Sequence, residues 1–209
     1  MKYDAILVAS GKGERANLGY NKVFYRLKDG KSVLEHAASL FVKDPDCVCI
    51  IIVTNEEKRN EVRGIEKSVT VNGGARRMDS VRNGLAEVRS DYVLIHDAAR
   101  PFLQKEALEL LKEKVFATGA AILGHRATDT VKIIQGDRIV QTIDRNTVFL
   151  AETPQGFETQ RIRACYDSCS GISFTDDASL LESLGHDVFI VEDPYPNPKL
   201  TSEEDFRCL

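Results

Sequence analysis

Short apolar runs alternate along this chain with longer stretches whose apolar residues recur every three or four positions. The runs are Ala5 to Ala9, Cys47 to Val53, Tyr92 to Ile95 and Ala120 to Leu123. Uniformly apolar, β-rich runs between polar turns suit strands buried on both faces. Between them, Val33 to Val42, Met78 to Val88 and Glu106 to Phe116 have helical spacing, and Ser32 is placed to cap the first. A polar helix from Asn55 and a short strand at Val69 to Val71 complete the series. The alternation predicts a parallel sheet with helices on both faces.

The pattern then changes. Val131 to Ile134 and Arg138 to Ile143 flank the turn Gln135-Gly-Asp137 and predict a hairpin. A lone two-stranded hairpin is marginal in water, so it must pack on its own domain or reach a second subunit. A loop at Glu152 to Gln155 is expected next, then helices near Thr159 to Tyr166 and Asp176 to Leu184, the latter ending at Gly185. A strand at Val188 to Val191 follows, and Thr201-Ser-Glu-Glu opens a last short helix with capping-box spacing. No repeat or flexible linker divides residues 1–209, which are expected to form a single domain.

Charge narrows the classes of function. The 209 residues include 28 basic and 32 acidic side chains, a net charge of −4. This argues against a nucleic-acid-coating or membrane-surface protein and confines any anion site to a local patch. No apolar run approaches the ~18 residues of a membrane span, and Met1-Lys-Tyr-Asp4 lacks the regions of a signal peptide. A cytoplasmic protein is expected. Of five cysteines, Cys47 and Cys49 would share a strand face and Cys165 and Cys169 a helix face, with Cys208 left over. A four-thiolate zinc site is conceivable, but no pair has the usual C-x₂-C spacing. Small buried hydrophobes are the better expectation.

The chemistry begins at Leu7-Val-Ala-Ser-Gly-Lys-Gly-Glu-Arg15, which runs on to Lys22. Gly11 and Gly13 permit a sharp turn and close approach to backbone N–H groups, while Lys12, Arg15 and Lys22 add positive charge. Together they suit a polyphosphate. Gly11 to Ala16 formally matches the dinucleotide pattern G-x-G-x-x-G/A, but a Rossmann loop should open an apolar helix at once. Here Ala16-Asn-Leu-Gly-Tyr-Asn-Lys22 is polar and broken by Gly19, so a dehydrogenase is disfavoured. No Gly-Lys-Ser/Thr follows, so this is not a Walker loop either. The bland alternative is a tight surface turn with solvated charges. A second constellation, His96-Asp-Ala-Ala-Arg-Pro101, follows a central strand, at the edge where open α/β sheets bind ligands. Asp97 beside the small Ala98 and Ala99 could hold Mg²⁺ against phosphate oxygens, or simply cap the loop, and Arg100 could pair with a second phosphate.

These stretches recur in order in one family. Ala9 to Arg15 with Lys22, Gly73-Gly74 with Asp79-Ser80-Val81, His96 to Pro101, Asp129-Thr-Val-Lys132, Thr142-Ile-Asp-Arg145, Thr153-Pro-Gln155, Thr175-Asp-Asp-Ala-Ser179 and Lys199-Leu-Thr201 carry the resemblance. Over nearly its whole length the chain resembles the 2-C-methyl-D-erythritol 4-phosphate cytidylyltransferases of non-mevalonate isoprenoid synthesis.

The resemblance implies an open, mostly parallel, doubly wound α/β sheet of the Rossmann-like nucleotidyltransferase kind, with a protruding β-hairpin arm at about residues 126 to 148. It implies CTP and a sugar-alcohol phosphate as substrates, Mg²⁺ as cofactor, and a homodimer in which the arm brings Arg145 to the neighbour's site. Ala9, Ser10, Gly11, Lys12, Gly13 and Glu14 would wrap the CTP phosphates, with Gly74, Ser80 and Ala98 on the nucleotide. Arg15 and Lys22 would stabilise charge at the α-phosphorus and on pyrophosphate. Asp97 would meet the metal and the sugar phosphate; Thr130, Arg145, Thr153, Thr175 and Lys199 would hold the acceptor. Arg15, Lys22, Arg145 and Lys199 form the expected catalytic set. Some positions depart from the family: Val23 follows Lys22, Asn21 precedes it, Ser10 replaces alanine, Ala75 stands where an acid is common, and Pro198 precedes Lys199. Val23, Ala75 and Pro198 leave room for a nucleotide-binding regulator without turnover, and a ribitol-5-phosphate cytidylyltransferase, whose loops are similar, is the other alternative.

Overall fold

The first apolar run becomes β1 (Tyr3–Val8), whose residues are almost wholly buried because it lies between two other strands. The computed structural model describes residues 1–11, 19–169 and 174–207. To one side of β1 come β2 (Cys47–Thr54) and β3 (Ser68–Asn72), and to the other β4 (Tyr92–Asp97), all parallel. Beyond β4 the sheet continues with strands further along the chain. β5 (Ala120–Arg126) pairs in parallel with β9 (Phe189–Glu192), while β6 (Val131–Gln135) and β7 (Arg138–Ile143) form a separate antiparallel hairpin. β8 (Phe149–Glu158) fills the gap between β4 and β5, antiparallel to both. The sheet order is β3-β2-β1-β4-β8-β5-β9.

Alternation along the strands builds two cores. Leu7, Ile50, Ile52 and Leu94 pack on one face with α1 (Val33–Lys43) and α3 (Lys105–Thr118). Ile6, Ile51, Val53 and Ile95 pack on the other with α2 (Arg77–Glu87), α4 (Thr159–Ser168) and α5 (Asp177–Ser183). The sheet is therefore doubly wound, as expected. Ser32 caps α1 in a full capping box with Glu35. At the end of the chain, Asp205 accepts from the N–H groups of both Thr201 and Ser202, so α6 (Glu203–Arg207) starts later than the Thr201 spacing suggested.

Three expectations are corrected. Glu152 to Gln155 is not a loop but the middle of β8. Ile122 pairs with Gln155 and Gly124 with Ala151, so Glu152, Thr153 and Pro154 bulge opposite the single residue Leu123. A bulge carrying Glu, Thr and Pro hides a strand from any reading by periodicity. The segment after Asn55 is a 3₁₀ stretch, Glu56–Val62, and not an α-helix. Cys47 and Cys49 do not share a face: the register slips between their partners Tyr3 and Asp4, sending Cys47 into one core and Cys49 towards the other. Burial pushes the Cys47 thiol up to about 12 and raises those of Cys49 and Cys165, so these thiols pack as protonated apolar groups. Cys208 lies outside the described residues.

Candidate active site

β1 and β4 end side by side, with Val8 opposite Asp97. The Ala9 N–H still donates to Val53 O (2.8 Å) before the chain leaves the sheet. A cleft of about 670 Å³ opens at this carboxyl edge, lined by Ser10, Gly11, Lys22, Gly74, Asp97 and Lys199 among others. Open α/β sheets bind ligands at this edge.

One wall is built on glycine. Ser80 Oγ accepts from the Gly74 N–H (3.0 Å) and lies 2.9 Å from Ser10 Oγ, joining the loop after β1 to the start of α2. A Cβ on Gly74 would fall 2.3 Å from Asp79 Cβ, and one on Gly73 2.3 Å from Ser10 Cβ, so no side chain fits at either position. Asn21 fixes the next segment: its Nδ2 donates to Ala9 O (2.6 Å) and its Oδ1 accepts from the Val23 N–H (3.3 Å). This holds the short turn Lys22–Phe24 against the end of β1 with Val23 buried, and Lys22 lines the cleft with Nζ 3.5 Å from Thr201 O. Lys12, Gly13, Glu14 and Arg15 lie outside the described residues.

The same cleft holds a charged group. Lys199 Nζ donates to Asp97 Oδ2 (2.6 Å), and Arg77 Nε faces Asp97 Oδ1 (3.5 Å). Pro198 therefore does not keep Lys199 from the cleft. Burial alone would raise the Asp97 carboxyl, but the Arg77 and Lys199 cations outweigh it and hold it well below the usual carboxylate range. Arg77 is itself anchored by Asp177 (Nη2 to Oδ2, 2.8 Å), which also accepts from the Tyr166 hydroxyl (2.6 Å). Gln155 Oε1 accepts the N–H groups of Asp177 and Ala178, so β8 holds the start of α5.

Thr153 and His96 set the backbone beneath Asp97. Burial pushes His96 down to about 4, so it is neutral. Its Nε2 lies 3.0 Å from Arg100 O, an acceptor, which assigns the proton to Nε2. Nδ1 then accepts from the Thr153 hydroxyl (3.1 Å), whose oxygen accepts from the Asp97 N–H (3.0 Å).

Some expected contacts fall elsewhere. Thr153 is buried under Asp97 and engaged there. Arg100 does not line the cleft; its guanidinium donates to Asn197 O and faces Glu152. Ala98 is buried with its N–H on Val8 O, and Ala99 takes its place in the cleft wall. Thr175 is exposed just before α5, and Thr130 and Arg145 are exposed on the arm, where Arg145 donates to Thr128 O. Among the described residues Asp97 is the one carboxylate lining the cleft, and no cluster of three His, Cys, Asp or Glu could hold a metal alone. Arg77, Asp177 and Asn21 have no site role in the sequence reading, although Asn21 and Asp177 stand in stretches quoted there. Paired charges at Arg76-Arg77 and Asp176-Asp177 were the visible signal, but nothing local says that residues 100 apart meet.

A family model described as 2-C-methyl-D-erythritol 4-phosphate cytidylyltransferase matches residues 4–208. Proteins of that name from Lysinibacillus sphaericus and Geobacillus thermodenitrificans are each 38% identical to the chain over 98% of its length, covering 93% and 94% of theirs. The crystal structure of the Francisella tularensis protein of that name superposes with a TM-score of 0.86 at 29% identity, covering 100% of this chain and 98% of that one. That of the Thermus thermophilus protein gives 0.86 at 27%, over 100% and 97%. The chain belongs to the 2-C-methyl-D-erythritol 4-phosphate cytidylyltransferase family.

Proposed function

We propose that the protein transfers CMP from CTP to 2-C-methyl-D-erythritol 4-phosphate and releases pyrophosphate. The observation that carries this reading is the ionised Asp97 held between Arg77 and Lys199, in the same cleft as the Ser10–Gly74–Ser80 contacts. One wall suits a nucleotide approached through backbone and hydroxyl groups. The charged group supplies cations for a second anion.

The reaction needs little proton chemistry. The acceptor is a phosphate monoester with a second pKa near ~6, so it is already a nucleophile at neutral pH. Its oxygen forms a bond to the α-phosphorus as the bond to pyrophosphate breaks. What the site must supply is alignment and charge. Lys22 and, beyond the described residues, Arg15 offset the charge on the triphosphate. Lys199 exchanges its partner Asp97 for the acceptor phosphate, and Arg77 stays to balance the carboxylate. Asp97 fits Mg²⁺, which one or two carboxylates and substrate phosphates commonly hold together, and the ion would supply further neutralisation of the phosphates.

The whole chain would act as one domain in a homodimer, its arm carrying Thr130 and Arg145 to the neighbouring cleft. Work in the cytoplasm fits its soluble substrates; no helix of the described residues is long and apolar enough to cross a membrane.

Pyrophosphate release from CTP tests the reading, with methylerythritol phosphate or ribitol 5-phosphate as acceptor, with and without Mg²⁺. Release is expected with the first acceptor and Mg²⁺ alone. Release only with ribitol phosphate reassigns the substrate. CTP binding without product from folded protein would leave a regulator.

A further inference from the structure

Lys199 reaches the cleft from an unusual strap. Residues 193 to 200 form neither helix nor strand, and proline stands at 194, 196 and 198. Proline has no N–H to donate and stiffens the chain, so this segment cannot hold itself by a backbone ladder. Its ends are tied instead: the Asp193 N–H donates to Gly124 O (2.7 Å) and the Leu200 N–H to Ala99 O (2.9 Å). Between them the pin is Asn197. Its carbonyl accepts from Arg100 Nη1 (2.5 Å), and its side-chain amide donates to Thr153 O (2.9 Å) and Glu152 Oε2 (3.3 Å). Glu152 in turn lies 3.8 Å from Arg100 and 2.9 Å from His125 Nδ1.

This cluster is a poor device for stability alone. Arg100 Nε, Asn197 Oδ1 and the neighbouring Asp193 Oδ2 are buried without a protein partner among the described residues. Apolar packing of the same space would avoid those desolvation costs. What the cluster does achieve is a fixed backbone two residues before Lys199. That lysine has a long side chain with several rotatable bonds, and its ammonium must meet a particular phosphate oxygen. Fixing its Cα removes much of that search. The bulge in β8 supplies Glu152 to this latch and Thr153 to Asp97, so one irregularity sets both ends of the Lys199–Asp97 pair.

We propose that Arg100, Glu152 and Asn197 form a latch that positions Lys199, and through it the acceptor phosphate, without touching substrate themselves. The acceptor part rests on the function proposed above.

The experiment is a double-mutant cycle read by steady-state kinetics and calorimetry, with amide exchange at Leu200 as a measure that needs no substrate. Asn197→Ala should raise the KM for methylerythritol phosphate about tenfold, leave the CTP Kd within twofold, and speed exchange at Leu200. In a Lys199→Ala background the same change should weaken acceptor binding no further. Glu152→Ala should raise the acceptor KM as Asn197→Ala does, and Glu152→Gln, which keeps an acceptor for the Asn197 amide, should leave it near that of the unmodified protein. If Asn197→Ala does not fold, Arg100→Lys takes its place, keeping the charge but losing the fork. Equal losses in both backgrounds, or unchanged exchange at Leu200, would overturn the latch. Absence of turnover in the unmodified protein defeats the functional reading instead, and exchange at Leu200 still decides whether the strap is latched.

Discussion

Arg77 donates to Asp177 Oδ2 at 2.8 Å while its Nε faces Asp97 at 3.5 Å, so one guanidinium ties the start of α2 to β4 and α5. Asp177 is fully buried. Burial alone would weaken the Arg77 charge, but Asp177 and Asp97 more than offset it. Arg77→Gln removes the cation that two buried carboxylates share. Losing one partner of a buried pair costs about 3–5 kcal/mol, and the opening of Arg77 to the cleft places the expected loss near the lower end. Urea unfolding should show it, together with a fall in pyrophosphate release of at least about tenfold, since 1.4 kcal/mol of lost transition-state stabilisation already gives that factor. Unaltered turnover in a folded Arg77→Gln protein would contradict the place given to Arg77.

A second buried cation separates stability from activity. Lys112 is buried where the strands begin and donates to Asp44, Asp46 and Glu109, and Asp44 also accepts from the Tyr3 hydroxyl. Burial alone would lower the Lys112 ammonium, but its three carboxylate hydrogen bonds raise it above the ordinary lysine range. A raised folded pKa gives stability that is full below lysine's unfolded value of ~10.4 and is lost as pH rises through the folded value. Lys112→Met should therefore destabilise by about 3–5 kcal/mol at neutral pH and remove the alkaline decline above pH ~10.4. The cluster lies at the opposite ends of the strands from the cleft, so kcat per folded molecule should hold. Thermal and urea unfolding beside the pyrophosphate assay would check both halves.

The sequence was legible where the physics is local. β1, β2 and β4 could be read as central strands because Ile6-Leu7-Val8, Ile50-Ile51-Ile52 and Val93-Leu94-Ile95 are unbroken apolar runs, and Ser32 with Glu35 announces the start of α1. The glycine loop and Asp97 stood out because phosphate binding restricts residue types within short stretches. What stayed hidden depends on distant partners. β8 is a strand only because β4 and β5 lie on either side of it, and its bulge breaks the alternation that would have shown it. Arg100 looked like a phosphate ligand beside Asp97, yet its partners Glu152 and Asn197 come from other parts of the chain. Cys47 and Cys49 changed faces through a register slip that no spacing rule contains.

Acid should weaken the fold through His96. Burial pushes its folded value down to about 4, below the ~6.5 of an unfolded histidine. A depressed pKa gives stability that is full above pH ~6.5 and falls as pH drops towards 4, because the unfolded chain takes the proton first. The loss across that window is roughly 3 kcal/mol from this residue. His96→Gln can keep a donor to Arg100 O and has no proton to gain. Its urea stability should fall less between pH 7 and 4 than that of the unmodified protein, by about that amount. Parallel curves would show that another group governs the acid limb.

The arm argues for a second copy of the chain. Among the described residues β6 and β7 pair only with each other, and Ile134, Ile139 and Val140 are 64%, 59% and 53% exposed. Apolar side chains grouped on an isolated hairpin are costly in water and mark an interaction surface. Thr130 and Arg145 at its base lie outside the cleft of their own chain. If each arm completes the neighbouring site, Arg145→Ala protein keeps its own glycine loop and lacks only what it gives its partner. Arg15→Ala protein lacks the reverse. Each alone should be nearly inactive. Mixed and allowed to exchange subunits, they should recover up to about a quarter of full activity, because half of the dimers are mixed and each has one intact site. No recovery from mixtures shown by mass to contain heterodimers would place Arg145 in its own chain's chemistry, and a monomeric mass at micromolar concentration would remove the dimer altogether.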